Sequence, residues 1–428
     1  MVTPPRPPSV DALARVMAAS GLPHAVCVEL AREAIAAGPA SFERSAALTR
    51  ANAFANSLLG PVINATGVLL HTNLGRAPLQ VTHPPTAMNL EFDLQTGGRG
   101  SRQHAVGRLL AMLCGAEAAI VVNNNASAVL LVLASIAHDR QVVVSRGESV
   151  EIGGGFRIPD VMEQSGATLV DVGTTNRTRL ADYRKAIGRK HADVAAILKV
   201  HPSNYRIEGF VETTSVADLA TMGVPVIADI GSGLIDANCP WMSGPPPAWL
   251  QGEPAARQSL DDGAALVTFS GDKLFGGPQA GIIAGRADLV AQCAQHPLMR
   301  ALRPGAHVMS LMQRTTMAYL DRTATTDIPF WVMIAATIED LQLRAGEIIA
   351  AAGVGEIEAT EALPGAGSAP GTTIPSVGIR IAGDRLAVLR SCNPPVVART
   401  RDGSTLLDLR TVDPGSDAAV AAALRRCA

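Results

Sequence analysis

Lysine is the first scarcity. Only Lys185, Lys190, Lys199 and Lys273 occur among the 36 Lys+Arg of this 428-residue chain. A cofactor that must attach to a lysine therefore has few places to do so. Cysteine is sparse as well: Cys27, Cys114, Cys239, Cys293, Cys392 and Cys427 are scattered, with no C-x-x-C. That pattern argues against a zinc site or a disulfide framework and for reduced thiols. No charge excess exists either, since 36 cationic against 38 acidic side chains leave a formal −2. Without clustered cations, neither nucleic acid nor a membrane surface is the default partner. The longest small-and-apolar run, ASAVLLVLASIA at 126 to 137, is too short to span a bilayer, and MVTPPRPPSV carries no apolar leader. A cytoplasmic protein with no membrane segment is the expectation. What is abundant is core: 47% hydrophobic against 17% charged residues, over a length suited to two or three domains.

Three domains are expected. Residues 1 to 60 read as a small helical unit, with an alanine-rich amphipathic stretch from Asp11 to Ile35, a second helix from Ser41 to Leu58, and a break at Gly60-Pro61. Residues 61 to 300 contain seven short β-branched runs alternating with helical segments: 118 to 122, 141 to 145, 167 to 172, 194 to 200, 225 to 230, 265 to 270 and 281 to 285. Such alternation implies crossover connections and a mostly parallel sheet covered on both faces. Residues 301 to 428 read as a smaller α/β domain, with long helices at Ser310 to Leu320 and Phe330 to Ala351. A Pro/Gly-rich linker follows at Pro364 to Gly371, then three short strands and a last helix. The Pro/Gly-rich excursion at 239 to 254 reads as a functional loop or an oligomer contact.

Three strand ends carry the chemistry. In SGDKLFGG (270 to 277) a strand closes on Ser270 and presents Lys273 beside glycines, where an amine can form a Schiff base with an aldehyde cofactor. Ser270 is placed to reach a phosphate oxygen. The strand PVIADI delivers Asp229, followed by Gly-Ser-Gly with Ser232, to the edge where open α/β sheets bind ligands. A carboxylate there can keep a pyridinium nitrogen protonated. The strand AAIVV runs into Asn123-Asn124-Asn125-Ala126 and an apolar helix, whose N-terminal N–H groups suit a phosphate. For each feature taken alone a plainer reading exists: an ordinary strand-end lysine, a capping aspartate, a capping asparagine. Their order, phosphate cradle then aspartate then lysine, is that of fold type I pyridoxal-phosphate enzymes. Lys199 is the rival lysine, while His201 and Glu148 stand near strand ends on the same side.

The chain resembles the bacterial L-seryl-tRNA(Sec) selenium transferase (selenocysteine synthase) family. The matching stretches include INATGVLLHTNLGRAPL (63 to 79), GAEAAIVVNNNASAVLL (115 to 131), SRGESVEIGGGFRIPDVM (145 to 162), LKVHPSNYRIEGF (198 to 210), DIGSGL (229 to 234), SGDKLFGGPQAG (270 to 281) and HPLMRALR (296 to 303). The resemblance implies a fold type I core, pyridoxal 5'-phosphate as cofactor on Lys273 with Asp272 beside it, and seryl-tRNA(Sec) and selenophosphate as substrates. The serine hydroxyl would be eliminated to leave an aminoacrylyl group, to which selenium adds. It further implies that Arg76, Arg300 and Arg303 grip the selenium donor, that Arg99 and Arg102 bind the same anion or the tRNA end, and that the helical N-terminal unit grips tRNA. A large homo-oligomer, in the family a decameric ring of dimers, is implied too. Departures from the family's pattern are the short 80 to 88 segment with Pro84-Pro85, Ala105-Val106-Gly107 after GSR, Pro202, and RPGAH at 303 to 307. The rival readings are a pyridoxal-phosphate lyase acting on a small amino-acid or amino-sugar phosphate substrate, and a noncatalytic paralogue.

Overall fold

The computed structural model describes residues 6–80, 86–153, 155–365 and 367–428, and the chain divides into two compact units, 1–62 and 63–428. The first is a helical unit of Val10–Met17, His24–Ala36, Pro39–Phe42 and Arg44–Ser57. Ser9 caps its first helix by accepting from the Ala12 N–H at 3.2 Å. The alanine-rich stretch is thus two helices, because Gly21 takes a left-handed φ of 78° and Pro23 follows two residues later. Leu13, Met17, Cys27, Leu30, Ala47 and Ala51 make its own buried core.

In the second unit all seven expected strands join one sheet, in the order 118–122, 281–285, 266–270, 226–231, 194–200, 141–145, 168–172. Only the 281–285 strand runs against the rest. This is the fold type I arrangement. Side chains alternate between two cores, as a pleated strand buried on both faces requires: Val121 and Ile282 face one, Ile120, Val122 and Ile283 the other. The Ala105-Val106-Gly107 departure has a local reason. A Cβ on Gly107 would lie 2.3 Å from the Ala119 carbonyl oxygen, so the 104–114 helix approaches the first strand this closely only with glycine there.

A boundary at residue 300 does not follow the sheets. The second sheet, ordered 399–401, 404–408, 374–382, 356–365, 68–70, takes its edge strand from far upstream, and Ile63–Asn64 pairs in parallel with Val396–Val397. Helices Ile338–Ala352 and Asp417–Arg425 pack on it through Leu341, Ile348, Val420 and Leu424. The pattern read as one helix over 330 to 351 is two, Pro329–Ala335 and Ile338–Ala352, with Thr337 capping the second by accepting from the Asp340 N–H. The 364–371 stretch is no free linker: the strand Glu356–Gly365 runs into it, and Ser368 and Ala369 are buried. Pro84-Pro85 lies outside the described residues. No helix among the described residues is long and apolar enough to cross a membrane.

Candidate active site

Parallel strands end together, and the ends at Val122, Val200, Gly231 and Ser270 bring their following turns to one edge. The turn after Val122 is built tightly. Asn124 caps the 125–136 helix, its Oδ1 accepting from the Ser127 N–H at 2.8 Å, and the Asn123 N–H donates to the Leu302 carbonyl at 3.0 Å. The N–H groups of Asn123 and Ser127 are therefore engaged within the fold. The N–H groups of Asn125 and Ala126, in the first helical turn, have no acceptor among the described residues. A Cβ on Gly281 would stand 2.1 Å from the Asn124 carbonyl oxygen, so glycine in the neighbouring strand is what admits this turn.

Asn125 ties the turn to Asp229. Its Nδ2 donates to Asp229 Oδ1 at 2.8 Å, and the Thr268 hydroxyl donates to the same oxygen at 3.2 Å, so neither side chain claims Oδ2. Burial pushes the Asp229 carboxyl up from the usual carboxylate range, opposed by the Asn125 hydrogen bond and the charge of Lys273. Two further polar atoms are buried here without a hydrogen-bond partner among the described residues, Asn125 Oδ1 and Ser232 Oγ. Such atoms are costly unless a bound group completes them.

Lys273 is 6% exposed, and its ammonium has neither a hydrogen bond nor an ion pair among the described residues. Burial lowers its pKa first, and the nearby Arg76 charge adds to this, against Asp229, Asp272 and Glu253. A buried amine so placed is biased toward the neutral, nucleophilic form. Lys199 is not comparable, because it forms a close ion pair with buried Glu148, whose Oε2 also accepts from the Val200 N–H at 3.0 Å. Ser270 is buried at its strand end, and a Cβ on Gly233 would meet its carbonyl oxygen at 2.5 Å.

The five arginines separate. Arg76, at a φ of 61°, pairs with Asp272 at 2.7 Å, and the Asp272 carbonyl accepts from the Ala77 N–H. Arg99, Arg102 and Arg303 converge on Glu91 at 3.2, 3.0 and 3.2 Å. The Arg102 hydrogen bond, first among these contacts, holds the Glu91 carboxyl below its usual range. Arg102 also donates to the Pro304 carbonyl at 2.7 Å, so the cluster is stapled to the segment whose Leu302 receives Asn123. Arg300 is exposed on the short Leu298–Ala301 helix and makes no ion pair among the described residues; it does not join Arg303.

Two groups escaped the sequence reading. Glu253, from the 239–254 excursion, is buried, with Oε2 accepting from the Ala369 N–H at 3.0 Å and lying 3.6 Å from His201 Nε2. Gly367, from the supposed linker, sits so close to Lys273 that a Cβ would lie 2.8 Å from Nζ. The only local signal was glycine and proline content, which marks irregular backbone without saying what it touches. Beside them opens a cleft of about 420 Å³ lined by His201, Tyr205, Arg206, Asp229, Trp249 and Glu253.

The L-seryl-tRNA selenium transferase family model matches residues 62–413. The chain is 48% identical over 396 residues to the L-seryl-tRNA(Sec) selenium transferase of Moorella thermoacetica, covering 86% of this chain and 82% of that protein. It is 44% identical over 395 residues to the enzyme of that name from Rhizobium meliloti, with the same coverage of 86% and 82%. Among solved structures, D-glucosaminate-6-phosphate ammonia-lyase shares the fold, with a TM-score of 0.57 at 22% identity over 86% of this chain and 95% of that one.

Proposed function

The chain belongs to the L-seryl-tRNA selenium transferase family, and from that membership we propose that it converts L-seryl-tRNA(Sec) to L-selenocysteinyl-tRNA(Sec) in the cytoplasm, with pyridoxal 5'-phosphate as cofactor and selenophosphate as selenium donor. The observation that carries this reading is the convergence of an unpartnered buried Lys273, buried Asp229 and the free N–H groups of Asn125 and Ala126 at one sheet edge.

The residues fit the cofactor. Asn125 and Ala126 N–H groups would hold its phosphate, with the unpartnered Ser232 hydroxyl and Ser270 as further contacts. Asp229 would hold the proton of the ring nitrogen, and Lys273 would carry the cofactor until substrate amine takes its place. When bound, the cofactor supplies an electron sink for the bond broken at the serine α-carbon. Lys273, whose burial favours the neutral amine, would then take the α-proton at Nζ. Lys273 would return that proton to the departing β-hydroxyl, which leaves as water, and selenium from selenophosphate would bond to the β-carbon as water cleaves its bond to phosphorus and phosphate is released. Asp272 stays paired to Arg76 and keeps that guanidinium beside the lysine.

Arginine suits a tetrahedral oxyanion, because its fork is permanently charged and bidentate. We assign Arg76 and the Arg99, Arg102 and Arg303 cluster to anion binding, with donor or tRNA phosphate competing against Glu91, and leave Arg300 as an exposed guanidinium for the same substrates. The 1–62 unit is proposed to grip tRNA, and the working state to be a large homo-oligomer. The test is direct. Purified protein loaded with pyridoxal phosphate is given selenophosphate and either seryl-tRNA(Sec), free serine or amino-sugar phosphates. Selenocysteinyl-tRNA from the first alone is the expected result, and turnover of an amino-sugar phosphate without it would replace this reading with a lyase.

A further inference from the structure

Glu253 is an expensive group to bury where it is. Its side chain is 3% exposed, and Oε1 has no hydrogen-bond partner among the described residues. A carboxylate oxygen removed from water without a donor is strongly disfavoured, and the bond that Oε2 makes to a backbone N–H is one that a neutral amide could make as well. The surroundings show what the charge faces. His201 Nε2, 3.6 Å from Oε2, is itself buried without a hydrogen bond, and the His201 N–H donates to the Asp229 carbonyl at 2.9 Å, on the strand that carries the central aspartate. On the other side, Ala369 is the residue held by Oε2, and Gly367, two positions before it, presses on Lys273 so closely that a Cβ would lie 2.8 Å from Nζ and 2.9 Å from Cε. Glu253, Ala369, Gly367 and Lys273 thus form a continuous mechanical connection, and the carboxylate is among the charged groups acting on the lysine, with Arg76, Asp229 and Asp272.

We propose that Glu253 is a positioning residue for Lys273: its Oε2 latches the Gly367–Ala369 turn across the amine, while its buried charge sets the field in which the amine works. The proposal rests on the reading of Lys273 as the cofactor-bearing lysine. Its two halves separate chemically. Gln at 253 keeps an acceptor for the Ala369 N–H but removes the charge, whereas Ala removes both.

The experiment compares full-length wild type, Glu253→Gln and Glu253→Ala by two readouts that need no substrate. Hydrogen exchange of the segment containing Ala369 should accelerate about tenfold or more in Glu253→Ala and stay near wild type in Glu253→Gln. The pH profile of Lys273 modification by an amine reagent, read by mass spectrometry on the cofactor-free full chain, should move to lower pH in both variants, because each loses a negative neighbour that favours the charged amine. Unchanged exchange in Glu253→Ala overturns the latch, as does acceleration in Glu253→Gln equal to that in Glu253→Ala. An unmoved modification profile in both variants overturns the field. If Glu253→Ala does not fold, Glu253→Gln alone decides, since it must shift the profile without accelerating exchange. The reading beneath is tested separately: if pyridoxal phosphate and borohydride leave their label elsewhere than Lys273, the site reading fails, whereas a labelled Lys273 indifferent to Glu253 sinks only this proposal.

Discussion

A single methylene chain ending in an amine decides most of what this site can do, and its burial has a thermodynamic signature. Lys273 has its pKa lowered from the ordinary 10.5, with desolvation the first cause and Arg76 the second. The native state therefore binds the lysine proton less readily than the unfolded chain does. Native stability rises with pH between the lowered value and 10.5, because there the unfolded state carries more protons. The stability is fully present above 10.5 and is lost as pH falls through the lowered value. Lys273→Met removes the charge while filling similar space. In the cofactor-free protein it should stabilise the fold at pH 6 to 7, and the gain should shrink steadily toward pH 10. Denaturant midpoints of the two proteins across that range check this, and a gain independent of pH would mean that the amine is not held in a charge-averse place.

Elements make the site by ending together, and one contact between two of them can be tested. The strand Gly281–Gly285 passes the Asn124 turn at a distance that leaves no room for a side chain, the Cβ of an alanine at 281 falling 2.1 Å from the Asn124 carbonyl oxygen and 2.9 Å from the Asn125 nitrogen. Both atoms belong to backbone, so neither can swing away. Gly281→Ala should cost roughly 1 to 3 kcal/mol of stability by overpacking. It should also weaken cofactor binding more than it weakens the fold, because it displaces the free N–H groups of Asn125 and Ala126. Thermal denaturation alongside an absorbance titration with pyridoxal phosphate separates the two effects; equal loss in both would make the turn a purely structural joint. The sequence shows the seven strands to within a residue or two, since each is a short β-branched run bounded by polar or turn residues, and periodicity is a local property. It does not show their spatial order, nor that Val68–Leu70 pairs with Glu356–Gly365, because nothing local distinguishes one parallel neighbour from another. The same limit explains the site. Lys273, Asp229 and the asparagine turn were legible as strand ends, whereas Glu253 and Gly367 meet the lysine only through long-range contacts. Arg99, Arg102 and Arg303 were each legible as cations, but their common partner Glu91 was not.

At the scale of the whole molecule the question is how a chain of net charge −2 handles a polyanion. Residues 1 to 60 carry five Arg against four Asp+Glu, and three of the five are engaged within the unit: Arg15 with Asp11, Arg32 with Glu29, and Arg50 with Glu33. Arg6 and Arg44 make no ion pair among the described residues. A surface with so few free cations releases few counterions, so the tRNA binding proposed for this unit would rest on shape and hydrogen bonding more than on charge. The 1–62 unit also has its own core, as does 63–428, so removing one need not unfold the other. Deletion of residues 1 to 58 should accordingly abolish tRNA binding while the cofactor absorbance, and its fixation on Lys273 by borohydride, persist. In the full-length protein, the logarithm of tRNA affinity should fall with the logarithm of salt concentration at a slope of only about −2 to −3, counting roughly 0.7 to 0.9 per phosphate neutralised. Filter binding of the two proteins at several salt concentrations measures both quantities. Retained affinity after the deletion would strip the helical unit of the role given to it. A much steeper slope in the intact protein would instead move the dominant contacts to the arginines around Glu91, where three guanidinium groups already share one carboxylate.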